Sequence, residues 1–191
     1  VSRQVIKALN DLNLIQIEEE TLYRNPFGAI PTEQSQITLT KEQQAIVEDF
    51  TSDYEKGIRK TYLLHGITGS GKTEVYMDII AQVISEGKQV IMLIPEIALT
   101  YQTVQRFYRR FGKRVTIMNS KMSQGERYDQ SVRAKNGEID ICIGPRSALF
   151  TPFRNLGLII IDEEHEGSYK SETVPKYHAR DVAIQRAKME E

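Results

Sequence analysis

The feature that most narrows what this chain can fold into is residues 66–73, Gly66-Ile67-Thr68-Gly69-Ser70-Gly71-Lys72-Thr73. They lie between a short apolar run, TYLLH at 61–65, and a stretch in which Val75, Tyr76, Ile79, Ile80, Val83 and Ile84 recur at helical spacing. Every fixed position of G-x-x-x-x-G-K-[ST] is filled, in the strand-to-helix context that this motif requires. The glycines let the loop wrap closely, so that successive backbone N–H groups and the N-terminus of the next helix point at phosphate oxygens. Lys72 then reaches the β- and γ-phosphates of a nucleotide, and the Thr73 hydroxyl ligates Mg²⁺. An ordinary glycine-rich turn is the bland alternative; the spacing, the strand before and the helix after all speak against it.

A phosphate-binding loop needs an acidic partner at the end of a neighbouring parallel strand, because the metal must be held from the side opposite the phosphates. Leu158-Ile159-Ile160-Ile161-Asp162 supplies one, a strand buried on both faces with a carboxylate emerging at its C-terminal edge. Asp162 is expected to bind Mg²⁺ through water. Glu163, next in the chain, is expected to orient and activate the attacking water.

Around these motifs strands and helices alternate, which predicts an α/β fold with a mainly parallel sheet flanked by helices. A helix opens at Thr40 with Ile46, Phe50 and Tyr54 on one face; Thr40 and Gln43 make a capping box. TYLLH reads as the first core strand and QVIMLI at 89–94 as the second. A helix carrying Val104, Phe107, Tyr108 and Phe111 leads to the strand VTIM at 115–118. Ser123 and Glu126 cap a helix ended by Gly137, IDICI at 139–143 and LGLIII at 156–161 are strands, and a last helix runs from about Ala179 with Val182, Ala183 and Ala187 inward. Residues 1–24 read as a short helix with Val5, Ile6 and Leu9 aligned, then a β-rich LIQIEE and a return strand at Thr21–Tyr23; 25–35, NPFGAIPTEQS, reads as a linker.

Composition removes several classes. No apolar run approaches a membrane span and no signal-peptide pattern is present, so a cytoplasmic protein is expected. The single cysteine, Cys142, permits neither an internal disulfide nor a cysteine zinc site. With 25 basic and 26 acidic residues the formal net charge is −1, so a polyanionic partner must be met by local groups.

Asp162-Glu163-Glu164-His165 resembles the DEAH-type Walker B box of superfamily 2 helicases, and GITGSGKTEVYM is closely similar to the Walker A segment of the primosomal replication-restart DNA helicases. IPEIALT at 94–100, RSALF at 146–150 and the run SYK…YHARD at 168–181 agree with that family in order and spacing, over roughly residues 36–188. The resemblance implies a RecA-like P-loop lobe over 36–191, with residues 1–24 as the end of a winged-helix-like DNA-binding domain. It also implies ATP and Mg²⁺ as cofactors, single-stranded and forked DNA and replication-restart (primosome) proteins as partners, and ATP-driven 3′→5′ strand movement at stalled forks.

Residue roles come with it. Pro95, Glu96 and Thr100 match a motif that touches the DNA backbone, and Arg146 and Ser147 match the next; a surface ion pair is the alternative for Arg146. Gln43 stands where such helicases read the adenine edge, a role that competes with its capping box. The segment 166–178 resembles an aromatic-rich loop that senses DNA in RecQ-like and primosomal helicases. Tyr169, Tyr177 and His178 there offer flat faces to bases, and Lys170 and Lys176 offer charge to phosphates. His165 either links this loop to the γ-phosphate or is a buried structural histidine. Arg106, Arg109, Arg110 and Lys113 either cap a helix C-terminus or touch DNA. Asn119 and Pro145 depart from the family pattern, where histidine and a small residue are common.

Two other readings share the P-loop: a phosphotransferase, which would need an acceptor pocket in place of Glu163 and the RSALF loop, and a non-catalytic interaction module, which loss of Lys72 or Glu163 would have favoured. On the helicase reading the chain is a fragment holding one motor lobe, whose hydrolysis awaits a cationic finger from a second.

Overall fold

A computed structural model of the chain describes residues 3–16 and 38–190. In chain order the helices are α1 (Arg3–Asp11), α2 (Lys41–Glu55), α3 (Lys72–Ser85), α4 (Tyr101–Phe111), α5 (Gln124–Lys135) and α6 (Ala179–Met189). The strands are β1 (Gln89–Leu93), β2 (Val115–Ile117), β3 (Ile141–Gly144) and β4 (Leu156–Ile161). The sheet is wholly parallel, in the order β2-β3-β1-β4, so β1 lies inside it with β3 and β4 on either side.

The central strands are apolar throughout because both faces are covered. Val90 and Met92 of β1, with Ile141 and Ile143 of β3, point into a core built by α2, α3 and α4, where Phe50, Met77, Ile80, Val104 and Phe107 meet them. The alternate residues Ile91, Leu93 and Cys142 point the other way, into a second core with Ala134, Leu149, Tyr169, Ala179 and Ala183. The sheet is thus the middle layer of three.

Both expected capping boxes form. Thr40 Oγ1 accepts from Gln43 N at 3.3 Å while Gln43 Oε1 accepts from Thr40 N at 2.9 Å, and Ser123 and Glu126 exchange the equivalent pair. Each satisfies two of the helix's otherwise unpaired first-turn donors, an N-cap being worth about 1 kcal/mol. α2 differs from the expected register. Val47, not Ile46, joins Phe50 and Tyr54 in the core, since 47, 50 and 54 follow the three-and-four spacing of one face; Ile46 turns outward. In α6 Ala183 is buried and Val182 packs partly buried against the second core, as expected, but Ala187 is exposed.

The largest departure is at 61–65. TYLLH takes no place in the sheet: β4 is its edge, and Leu63 is 81% exposed while only Leu64 packs against the first core. The preceding side chains are drawn to α2 instead. Lys60 pairs with Asp53 at 2.5 Å, the Tyr62 hydroxyl donates to Asp53 at 2.8 Å, and the Tyr62 ring lies 5.4 Å from Phe50. An apolar run meets the composition of a strand, but a strand also requires a partner's backbone, which composition cannot specify.

Val5 and Ile6 of α1 are exposed. Leu14, Ile15 and Gln16, the first half of LIQIEE, form no strand; its second half, the return strand at 21–23 and the linker at 25–35 lie outside the described residues. No described helix is long and apolar enough to cross a membrane.

Candidate active site

Parallel strands deliver their C-terminal ends to one edge of the sheet, and the chemistry-bearing residues of this chain converge there. The loop 66–71 rises to that edge and turns into α3 at Gly71, the N-cap, whose φ of 81° is left-handed. A side chain is excluded at Gly71 twice over, by that φ and by the Gln43 amide, which a Cβ would overlap. Gly66 is close-packed too: a Cβ there would come within 2.7 Å of Ser70 Oγ, so the serine side chain would have to turn away. Because a glycine caps α3, no side chain occupies its first-turn donors, which leaves that end of the helix open to an anion.

Lys72 folds over the loop. Its Nζ donates to Gly66 O at 2.8 Å and Ile67 O at 3.4 Å and stands 3.9 Å from Glu163 Oε1. Gln43 keeps its capping box and donates from Nε2 to Ser70 O at 3.0 Å, so the amide both starts α2 and braces the loop.

Opposite the loop, β4 ends at Asp162, whose N–H donates to Leu93 O at 2.9 Å and extends the ladder with β1. The Asp162 carboxyl is held above the usual carboxylate range, first by burial and then by the negative charge of Glu163; the Glu163 amide, which donates to it at 3.2 Å, works against this shift. Glu163 itself adopts a left-handed φ of 48°, a conformation that costs a residue with a Cβ roughly 1–2 kcal/mol. That turn aims the Glu163 carboxylate back over the loop towards Lys72. Such an outlier in a cleft is the mark of a conformation kept for function.

Thr68, Lys72, Thr73, Asp162 and Glu163 line one cavity of about 470 Å³. A divalent cation suits this donor set. A hydroxyl and a carboxylate are hard oxygen ligands, Mg²⁺ needs few protein ligands when phosphates and water supply the rest, and a nearby cation would offset the burial that disfavours the Asp162 carboxylate. Among the described residues no cluster of three or more His, Cys, Asp or Glu could hold a metal unaided.

Two buried phenols brace Asp162. The Tyr76 hydroxyl donates to Asp162 Oδ1 at 3.4 Å and the Tyr169 hydroxyl donates to Asp162 O at 2.7 Å; both phenols are pushed well above their ordinary value, chiefly by burial and then by Asp162. This corrects the expectation for Tyr169. It is 1% exposed, within the second core, and offers no face to a base. Sequence reasoning read Tyr76 only as an inward helix residue. Its placement one turn after Lys72 was the available signal, since that is where an α3 side chain meets the end of β4.

The remaining backbone-contact candidates crowd the same edge. Pro95 is buried at the end of β1; Glu96 Oε1 accepts from Ser120 N at 3.3 Å and from the Ser120 hydroxyl; Thr100 is the N-cap of α4, accepting from Thr103 N at 3.3 Å. Ser147 is exposed in the turn Arg146–Phe150 that follows β3. Among the described residues Arg146 makes no ion pair. Its Nη1 donates to Ser168 O at 2.9 Å and Lys170 O at 2.6 Å, gripping the turn that seats Tyr169. His178 is the N-cap of α6, its Nδ1 accepting from Arg180 N at 3.2 Å, and Lys170 bridges to it through the backbone and is exposed, as is Lys176. Tyr177 is half-buried edge-on against Phe150, centroids 5.6 Å apart; Phe150, 59% exposed, is an aromatic face that sequence reasoning left aside. His165 is exposed, with Nε2 3.7 Å from Glu163 Oε2 and not buried. Arg110 lies in the last turn of α4 and Arg106 one turn earlier, partly exposed. They cross to α3, where Arg106 pairs with Glu74, and Arg110 with Asp78 at 2.5 Å. Asn119 Oδ1 accepts from the amides of Lys121 and Met122, each at 3.0 Å, a local turn that leads into α5.

Comparison with known proteins agrees with this layout. Replication restart protein PriA of Bacillus subtilis is 46% identical over 187 residues, 97% of this chain and 23% of that protein. PriA of Chlamydia pneumoniae is 49% identical over 152 residues, 79% of this chain and 20% of that protein, and PriA of Haemophilus influenzae 43% over 176 residues, 88% and 24%. The chain therefore spans at most about a quarter of the length of these relatives. The resemblance to the primosomal replication-restart family read from the motifs is met by these proteins over nearly all of the chain. Since residues 36–188 match the family model described as type III restriction enzyme, res subunit, the chain belongs to that family.

Proposed function

We propose that this chain is the ATP·Mg²⁺-binding, DNA-engaging lobe of a cytoplasmic 3′→5′ DNA helicase or translocase that acts in replication restart. The observation that carries the reading is the approach of Lys72 Nζ to Glu163 Oε1, 3.9 Å, across a cavity floored by the loop and bounded by Asp162. A lysine for phosphates and a carboxylate for water meet at ion-pair distance beside the cavity, and would part to admit a γ-phosphoryl group. The relatives' name adds replication restart; forked and single-stranded DNA and primosome proteins as partners rest on the family resemblance. Strand polarity rests on the family resemblance.

Within this reading, the open N-terminus of α3 and Lys72 bind the phosphates, and Thr73 with Asp162 would hold Mg²⁺, which when bound neutralises phosphate charge. Glu163 accepts the proton of the attacking water. Gln43 contributes to the adenine end of the site, releasing either its cap or its Ser70 contact to do so. Arg146, Ser147, Glu96 and Thr100, on the same edge, provide backbone contacts to DNA, and the N-terminal residues 1–24 belong to a preceding DNA-binding domain.

The test uses the full-length protein. Glu163→Gln should keep nucleotide binding while turnover falls by about two orders of magnitude or more, the usual scale for loss of a general base; Lys72→Ala should weaken nucleotide binding itself. Unchanged turnover in the first variant, or unchanged affinity in the second, refutes the assignment.

A further inference from the structure

Arg106 lies on α4, remote in sequence from both nucleotide motifs, yet it lines the same cavity as Thr68, Lys72, Thr73, Asp162 and Glu163. Its Nη2 pairs with Glu74 Oε1 on α3, one residue beyond Thr73. The two side chains are unequally placed, Arg106 49% exposed and Glu74 12%. The other Glu74 oxygen, Oε2, is buried without a hydrogen-bond partner. A carboxylate kept in that state costs stability, and what it secures is the position of the guanidinium.

A second pair on the same two helices gives the contrast. Arg110 and Asp78 sit one turn further along α4 and α3 and meet at 2.5 Å, stitching the helices together, but neither lines the cavity. If helix-to-helix stitching were the whole purpose, Arg110 and Asp78 already serve it without a carboxylate as deeply buried as Glu74. Arg106 differs in facing the space where phosphate charge would arrive, and among the described residues it is the only basic side chain besides Lys72 to line that cavity.

We propose that Arg106 is a phosphate-binding residue of the nucleotide site, held in place by Glu74; this rests on the P-loop reading above. The guanidinium is planar and permanently charged, with five donors; Glu74 engages one nitrogen, which leaves others to polyphosphate oxygens. Lys72 supplies a point charge from the loop, and Arg106 a directed donor set from the adjoining helix. Because α4 is capped by Thr100, two residues after the turn Glu96–Ala98, the same helix connects a candidate DNA contact to the phosphates.

The experiment measures affinity of the full-length protein for the β,γ-imido analogue of ATP with Mg²⁺ by calorimetry, in Arg106→Gln, Glu74→Gln, the double variant, Arg106→Lys, Arg110→Gln and Lys72→Ala. Arg106→Gln should weaken binding about 10- to 100-fold, the range for a hydrogen bond to a charged group. Arg106→Lys, which keeps the charge and loses the fork, should fall between, and Arg110→Gln should lower thermal stability without changing affinity. The double-mutant cycle decides the role. Arg106→Gln should still weaken binding several-fold in the Glu74→Gln background. No further loss there would mean that Arg106 acts only by pinning α3 through Glu74, and overturns the proposal. A normal affinity in Arg106→Gln beside a weakened Lys72→Ala overturns the role of Arg106 alone, whereas normal affinity in both overturns the nucleotide site itself.

Discussion

Replacing Tyr169 distinguishes a base-stacking loop from a packed one. Its ring is 1% exposed among Leu93, Ala148 and Ala179, and its hydroxyl donates to the Asp162 carbonyl at 2.7 Å. Tyr169→Phe keeps the ring and strands a part-buried acceptor, which costs about 1–2 kcal/mol. Tyr169→Ala also empties an aromatic-sized volume in a packed core, for about 3–5 kcal/mol. At about 2–4 °C per kcal/mol for a domain of this size, the midpoints should fall by roughly 2–8 °C and 6–20 °C. Tyr177→Ala is the contrast: half-buried against Phe150, it should cost no more than about 1.5 kcal/mol, the upper worth of an aromatic pair. Thermal unfolding of the three variants by circular dichroism measures all of this. A Tyr169→Ala protein that melts with the parent would refute the packed placement and return Tyr169 to the surface as a candidate base platform. If the placement holds, then on the proposed helicase reading any base stacking at this loop would fall to Tyr177 and Phe150, the faces that remain open.

Cys142 reports on the second core independently. Burial pushes its thiol from 9.0 up to about 12, with the Thr151 hydroxyl, which donates to Sγ at 3.0 Å, pulling the other way. At pH 8 iodoacetamide should therefore label it only at the rate of unfolding, rising with denaturant; rapid labelling of the folded protein would contradict the burial. Because the folded value is the higher, this thiol's contribution to stability is complete below pH 9 and is lost as pH rises towards 12, so the parent should lose stability over that window relative to Cys142→Ala. Hydrolysis tests the dependence on a second lobe, whose cationic finger is worth about three to five orders of magnitude in comparable enzymes. Residues 1–191 alone should release phosphate negligibly, with or without DNA, and comparable rates in a protein extended to the length of the PriA relatives would refute that dependence.

What the sequence determined by itself was the local chemistry. Gly66 to Thr73, the capping boxes at Thr40 and Ser123, and the carboxylates after LIII are each written in contiguous residues, because a phosphate loop, a helix cap and a strand end are short-range objects whose geometry follows from neighbouring φ/ψ and side-chain reach. The order of strands and helices was legible for the same reason, from periodicity; among the described residues TYLLH and the start of LIQIEE formed no strand, since a strand exists through a partner that its own residues do not name. Which side of an element faces what was decided by packing. Tyr169 and Tyr177 look alike in the chain, yet one is held in the core by Arg146's grip on Ser168 and Lys170 and by the Asp162 carbonyl, while the other lies half open on Phe150. Arg106 and Arg110 look alike on one helix face, yet the crossing of α4 over α3 brings one to the phosphate cavity and the other only to Asp78. These distinctions depend on contacts between residues far apart in the chain, and such contacts are settled only when the layers close around the sheet and burial and charge must be satisfied together.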